Sequence, residues 1–469
     1  MSSAAERLAA NLNFGALGKA EELKRRIWFT LGALLVFRLG TFIPIPGIDP
    51  VAFAETFKQN STGILGMFNM FAGGAIERMA IFALNIMPYI SASIIMQLMS
   101  SIDKRLEALK KEGEQGRKQI NQYTRYLTVI IATAQAYGIA VSLEASRSSV
   151  GPIVIDPGWF FRLSTVITLV GGTMFLMWLG EQITQRGVGN GSSLIIFAGI
   201  VAGMPQAIMQ LLEMGRTQTL SPVVIIFLLV LMLVTTAAIV FFERAQRRLP
   251  IQYPKRQVGN RITQGDSSHL PLKLNSSGVI PPIFASSLLL LPITAAQFSG
   301  GQGLTWLNDV LPRSIVYWIP EWASIIAALG RGQPAHILIY VAFIVFFAFF
   351  YTAVVFNPNE TAENLRKYGG FILGRRPGAE TAKYIDYVLT RITVVGAIYL
   401  AAVCVLPELL TVYWAVPFYF GGTSLLIAVS VTMDTVSQVQ SHLLAHQYEG
   451  LIKKAKLRGA STTTVRGRK

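Results

Sequence analysis

Between Ser61 and Ser100 the chain carries an apolar span that is broken in a deliberate place. A short apolar piece, Ile64 to Phe71, is followed by Gly73-Gly74 and then by the charged pair Glu77-Arg78. A longer apolar run comes next, with Asn85 and Pro88 near its middle. A membrane-crossing helix needs about 20 apolar residues. The first piece is too short to cross, so it must end inside protein or turn back. Non-helical backbone at membrane depth survives only where protein or a water-filled cavity surrounds it. A re-entrant element at about 61–75 therefore points to a pore or a substrate path.

The rest of the chain agrees. Of 469 residues, 52% are hydrophobic and only 14% charged, against about 25% charged in a soluble domain. Apolar runs predict ten spans, at about 24–43, 77–99, 122–143, 159–180, 191–212, 221–242, 277–297, 334–356, 384–406 and 418–440. The formal charge of +16 would suggest nucleic acid in a soluble protein. Here the basic residues alternate with the spans. Every second loop holds only Lys58, Arg147, Arg216, Arg313 and Arg331, while most of the 41 Lys and Arg residues fall on the opposite side. The positive-inside rule then places both termini in the cytoplasm and favours an even number of spans. No cleavable signal peptide is expected, because residues 1–26 are polar and basic and Ile27–Ile43 lacks a small-residue cleavage site. The single cysteine, Cys404, excludes an internal disulfide.

This gives a cytoplasmic segment 1–23, a first half 24–215 with five spans, a second half 216–440 with five more, and a cytoplasmic tail 441–469. Five plus five fits an inverted repeat, a common plan for proteins that move substrates through membranes. Two long loops, 243–276 and 357–383, carry basic residues spaced by Pro, Gly and aromatics. They read as surfaces for a soluble partner, beyond their topological role and any contact with acidic lipids.

Reactive chemistry is sparse. His442 and His446 stand four apart but lack the glutamate of a metalloprotease motif, and read as solvated tail residues. Gly187-Val188-Gly189-Asn190-Gly191 has no Lys-Ser/Thr for a phosphate and reads as a flexible cytoplasmic turn. The chain is expected to be no enzyme and to need no cofactor or metal. Arg38, Arg125, Arg162, Asp386 and Arg391 lie near span ends and can reach the interface, Asp434 falls in the last third of the tenth span where the cytoplasmic boundary can satisfy it, and Glu181 closes the fourth span. An ion-coupled transporter of a small solute is the alternative, but it would place carboxylates mid-membrane. Gln97, Gln135 and Asn275 are uncharged polar residues in spans or at their ends. They serve either as helix–helix hydrogen bonds or as a seam between helices that must part.

Several long strings carry a resemblance. FIPIPGID (42–49), FNMFAGGA (68–75), IMPYISASII (86–95), MWLGEQIT (177–184), GNGSSLIIFAGIVAG (189–203), HLPLKLN (269–275), YTAVVFNPNETAENL (351–365), RRPGAETAKYID (375–386) and VPFYFGGTSLLI (416–427) resemble the bacterial SecY family from about Leu23 to Leu457. The resemblance implies an all-α polytopic membrane protein: ten transmembrane helices in two pseudo-symmetric five-helix halves around a central pore. The implied function is to pass unfolded secretory polypeptides across the bacterial inner membrane and to release hydrophobic segments sideways into it. It maps a re-entrant plug onto Ile64, Leu65, Met67, Phe68, Met70, Phe71, Gly73 and Gly74. It maps a pore ring onto Ile86, Ile90, Ser192, Ile196, Ile283 and Ile427. At Ser192 bacterial members have isoleucine, so the ring here is looser or more polar on one side. A dry aliphatic neck resists ions yet holds no passing side chain. The resemblance also implies a lateral gate between the second and seventh spans, flanked by the third and eighth, with Ser91, Gln97, Gln135 and Asn275. Arg256, Arg261 and Arg376 map to contacts with the SecA motor or the ribosome. Asn260 stands where relatives carry a further arginine. SecE and SecG, signal peptides and unfolded preproteins, and membrane lipids complete the implied partners.

Overall fold

The computed structural model describes residues 21–60, 69, 72–145, 152–217, 220–253, 256–258, 261–263, 267–298, 333–414 and 422–463. The first half contains α1 (Glu21–Gly40), α2 (Pro50–Asn60), α3 (Met87–Ile102), α4 (Lys104–Lys111), α5 (Glu114–Ala145), α6 (Trp159–Arg186) and α7 (Gly191–Arg216). The second contains α8 (Pro222–Arg244), α9 (Ile280–Phe298), α10 (Pro334–Val355), α11 (Pro358–Lys367), α12 (Ala379–Trp414) and α13 (Gly422–Thr463). Local chemistry sets many ends. Asn190 caps α7 by accepting from Ser192 N and Ser193 N, and Ser221 caps α8, with Pro222 in its first turn.

Among the described residues, six helical segments are long and apolar enough to cross a membrane: 114–144, 159–186, 191–216, 222–244, 334–367 and 379–407. Their outer faces are greasy. On α8 alone Val223, Ile226, Phe227 and Leu233 are exposed, Leu233 at 71%. A water-soluble chain does not carry apolar surface on that scale, so this is a multi-pass membrane protein.

Packing within each half is dense. In the first, α5 lies on α3 and α6, and α6 on α1 and α7; in the second, α10 lies on α9 and α12, and α12 on α13. Among the described residues the halves meet where α9 packs against α3 and α5, where α13 packs against α1 and α7, and where α8 packs against α7. A shared apolar core runs between them, drawing Phe37, Ile86, Ile195, Phe284, Ile344, Leu400 and Leu426 into one cluster.

The predicted span 77–99 is corrected. Residues 72–86 are a chain of turns, and regular helix begins only at Met87. Gly73 and Gly74 have φ of +65° and +84°, and Met79 and Asn85 have φ of +45° and +50°, so the helix cannot propagate through them. Pro88, in the first turn of α3, is a good starter there. Protein encloses the irregular backbone. A Cβ on Gly40 would fall 1.9 Å from the Phe82 ring, and one on Gly172 would fall 2.2 Å from the Ile81 carbonyl oxygen. Phe82 stacks between Phe37 and Phe175. Two backbone bonds, Ile45 N to Met79 O and Ile81 N to Ile43 O, tie the segment to the chain after α1.

Two further differences matter. Helix α13 runs on to Thr463, so much of the expected tail continues the last span. The two basic loops, read separately from the sequence, fold together. Strands β1 (Gln246–Gln252) and β4 (Ser267–Lys273) form an antiparallel ribbon, β2 (Arg256–Val258) and β3 (Arg261–Thr263) pair as a separate two-stranded sheet in the chain between them, and β5 (Phe371–Ile372) from the second loop adds to the edge of β1. The sheet order is β4-β1-β5, antiparallel throughout. Leu249, Leu272 and Ile372 seal it against Ile385, Val388 and Ile392 of α12.

Candidate functional site

The six mapped ring residues come from four places. Ile86 is the last residue before α3, and Ile90 sits one turn along it. Ser192 and Ile196 lie one turn apart at the start of α7. Ile283 is in the first turn of α9, and Ile427 in the second turn of α13. The five isoleucines belong to one apolar cluster, with Ile283 half-buried and Ile86 and Ile427 at 0% and 1% exposure. Ser192 is half-buried on the same helix as Ile196, and its N–H is held by the Asn190 side chain at 3.1 Å.

Ser192 is reached through the 187–191 turn, expected to be flexible. The turn is instead buried at Gly187, Val188 and Gly189 and held from three sides. Val188 N donates to Thr30 Oγ1 at 3.0 Å, Gly189 N to Gln438 Oε1 at 2.9 Å, and Gly191 N to Thr184 Oγ1 at 2.9 Å. Nothing in the local sequence signals this, because Thr30 and Gln438 lie 158 and 249 residues away.

Of the mapped plug, Ile64, Leu65, Met67, Phe68, Met70 and Phe71 lie outside the described residues. Gly73 and Gly74 are described. Arg38 Nη1 donates to the Gly73 carbonyl oxygen, and Gly74 N to the Asn69 carbonyl oxygen at 2.8 Å. The Asn69 side chain, buried, receives Glu77 N at 2.9 Å. Arg38 and Arg78 stack on the Phe42 ring, 4.9 and 4.2 Å from its centroid.

Helix α9 packs against α3, α5 and α10, so the second, third, seventh and eighth predicted spans are neighbours. Ser91 is buried on α3 and Gln135 half-buried on α5, and the side-chain oxygen Oε1 of Gln97 is buried with no hydrogen-bond partner. Asn275 faces elsewhere. Its Nδ2 donates to Glu243 Oε1 at 2.7 Å and to the Gly278 carbonyl oxygen at 3.1 Å. Two ion pairs also went unread in the sequence: Arg125 with Glu181, and Arg162 with Glu144.

Arg256 and Arg261 are on β2 and β3, which pair with each other in a sheet of their own. Arg376 is exposed in the turn between β5 and α12, and its carbonyl oxygen accepts from Thr381 Oγ1 at 2.8 Å. The pairing of β5 with β1 makes the two basic loops one surface.

A helical, multi-pass membrane protein with an irregular, protein-enclosed segment before its third helix and an aliphatic cluster between two packed halves has the architecture of a membrane channel. The SecY family model matches residues 80–436. A relative from Rickettsia conorii, called protein translocase subunit SecY, is 56% identical over 437 residues, covering 93% of this chain and 97% of its own. A solved SecY structure, described by its plug domain stabilising the closed state of the translocation channel, aligns with a TM-score of 0.60 at 17% identity, over 89% of this chain and 92% of its own. The canine Sec61 channel, solved in a ribosome–channel complex, aligns with a TM-score of 0.58 at 17% identity over the same shares. The chain belongs to the SecY family.

Proposed function

We propose that this chain is a protein-conducting channel, which passes unfolded secretory polypeptides through the membrane and lets hydrophobic segments out sideways between α3 and α9. The supporting observation is the convergence, from four separate elements, of Ile86, Ile90, Ile196 and Ile427 in one buried cluster between the halves, with the half-buried Ile283 packed against it. A short apolar neck offers nothing to a hydrated ion and no sequence preference to a polypeptide. The small-solute transporter is set aside, because an aliphatic constriction has no group to bind a solute or couple it to an ion. We assign the chain no catalytic step; the driving force comes from a partner.

In this reading residues 61–75 plug the channel from the outer side, Arg38 holding the end of the plug at Gly73. Both termini and the sheet β4-β1-β5 face the cytoplasm of a bacterium, and the membrane is its inner membrane. Arg256 and Arg261 on the β2-β3 pair and Arg376 in the turn after β5 contact the SecA motor or a ribosome with its nascent chain, and SecE and SecG are membrane partners. Ser91, Gln97 and Gln135 border the lateral exit. Asn275 leaves that group, for the reason its bonds give above.

The test is crosslinking of a stalled secretory chain to cysteine at Ile86 or Ile283. Adducts are expected at both. Adducts at neither, with the variants inserted and translocating, would move the path elsewhere.

A further inference from the structure

The ends of α8 and α9 are joined by more than a loop. Helix α8 stops at Arg244 and β1 starts at Gln246; β4 stops at Lys273 and α9 starts at Ile280. The ribbon pairs without a gap from Gln246–Lys273 to Gln252–Ser267, a length of roughly 20 Å. At its base Leu274 N donates to the Ala245 carbonyl oxygen at 2.9 Å.

Asn275 is the hub of the turn that follows. It is only 4% exposed. Its amide donates to Glu243 on α8 and to the Gly278 carbonyl, and its own oxygen accepts from Ser277 Oγ at 3.1 Å. Every group of that side chain has its partner. The turn is also wedged against α12, where a Cβ on Gly396 would fall 2.9 Å from the Leu274 carbonyl oxygen. Phe242, next to Glu243, stacks on Tyr399 of α12 with ring centroids 4.4 Å apart. Glu243 is within electrostatic reach of Asp434 and Lys273. A half-buried carboxylate among such neighbours is costly to place without a donor, and the Asn275 amide supplies it.

We propose that the Glu243–Asn275 pair is a strut that transmits movement of the basic hairpin to the first turn of α9, where Ile283 sits. The proposal rests on the docking and pore readings above. A load on the sheet reaches Lys273 along a stiff ribbon. At the turn it divides between backbone and strut. With the strut intact, α8 and the start of α9 move as one body; without it the turn absorbs the motion and Ile283 stays in place. Glu243 and Asn275 are positioning residues and touch neither motor nor substrate.

The test uses the whole channel complex in membranes, with the motor ATPase and a preprotein. Asn275→Asp sets two carboxylates face to face. It is expected to slow translocation by about fivefold or more, with motor affinity within about twofold of the parent. Glu243→Gln keeps an acceptor oxygen and is expected to translocate at close to the parent rate. The double variant Glu243→Gln/Asn275→Asp restores the bond between the two side chains with donor and acceptor exchanged, though not the one to the Gly278 carbonyl, and is expected to recover part of the lost rate. An Asn275→Asp channel that translocates at the parent rate overturns the strut. So does a motor affinity that falls in step with the rate, because the pair would then only hold the docking surface together. A double variant no faster than Asn275→Asp does the same. Arg376→Glu is run in parallel: if it binds the motor normally, the docking assignment falls, and the strut is still judged on the Asn275→Asp rate.

Discussion

Arg125 and Glu181 form a two-pronged ion pair between α5 and α6, with Nη2 to Oε2 at 2.6 Å and Nε to Oε1 at 3.1 Å. The sequence placed Arg125 near a span end, free to reach the interface, and Glu181 at the close of the fourth span, with no link between them. Their side chains remain partly exposed, at 46% and 26%, so the pair is worth less than its geometry alone implies. Glu181→Ala is expected to destabilise the chain by about 1 kcal/mol, read as a lower melting temperature in detergent. Exchanging the two charges by Arg125→Glu/Glu181→Arg should recover part of the loss. An unchanged melting temperature for Glu181→Ala would remove the pair from the account of how α5 and α6 stay together.

The crossing of α6 and α7 gives a sharper contrast. A Cβ on Gly191 would lie 1.9 Å from the Gly180 carbonyl oxygen, whereas a Cβ on Gly180 meets nothing closer than 3.5 Å. Gly191→Ala is therefore expected to cost about 2 kcal/mol or more through overpacking and to lower accumulation in the membrane. Gly180→Ala should be neutral or slightly stabilising, since alanine favours a helix by about 1 kcal/mol over glycine. Accumulation and melting temperature of the two variants, side by side, check the direction.

Seal and plug are tested together by conductance of the purified complex in a planar bilayer. Deleting Ile64–Phe71 is expected to let ions leak through the resting channel. Ile86→Gly/Ile283→Gly should add to the leak by widening a dry neck. Ser192→Ile should reduce it, because a branched apolar side chain then stands one turn before Ile196. A plug deletion and a double glycine variant both as tight as the parent would place the pore elsewhere.

Topology is checked by labelling. Cysteine placed at Arg261 or Arg376 is expected to react with an impermeant reagent only from the cytoplasmic side. Labelling of both from outside would invert the whole assignment.

Arg376 is exposed on a turn, so reversing its charge disturbs no packing. Arg376→Glu should reduce motor-driven export severalfold while the chain still folds and inserts. Export at the parent rate would remove Arg376 from the docking surface.

The sequence showed most of what a bilayer demands. Pro222–Arg244 and Pro334–Val355 announce themselves, because an apolar run of that length has few other uses. The break at Gly73-Gly74 was legible too, since two adjacent glycines after a short apolar piece leave little else to expect. Met79 and Asn85 were not: their left-handed backbone is imposed by the packing of α1 and α6, which hydropathy does not see. The sheet was missed for a different reason. Strand β5 is only two residues long, too short for any period to show, and its partner lies in another loop. Asn275 was legible as a polar residue that matters, but its partner was not. The choice between Glu243 and the glutamines of α3 and α5 depends on how the turn at 274–279 points, and that follows from β1 and β4.

The 187–191 turn carries a consequence for how the molecule is made. Thr30 leaves the ribosome long before Gln438, yet the two hold adjacent residues, Val188 and Gly189, a few positions ahead of Ser192. During synthesis the turn can take its first bond early but must wait for α13 to receive its second. The half-built chain therefore sits in the bilayer with one side of that turn unfastened. Closure arrives with α13, as a stitch that joins the second half of the chain to the first.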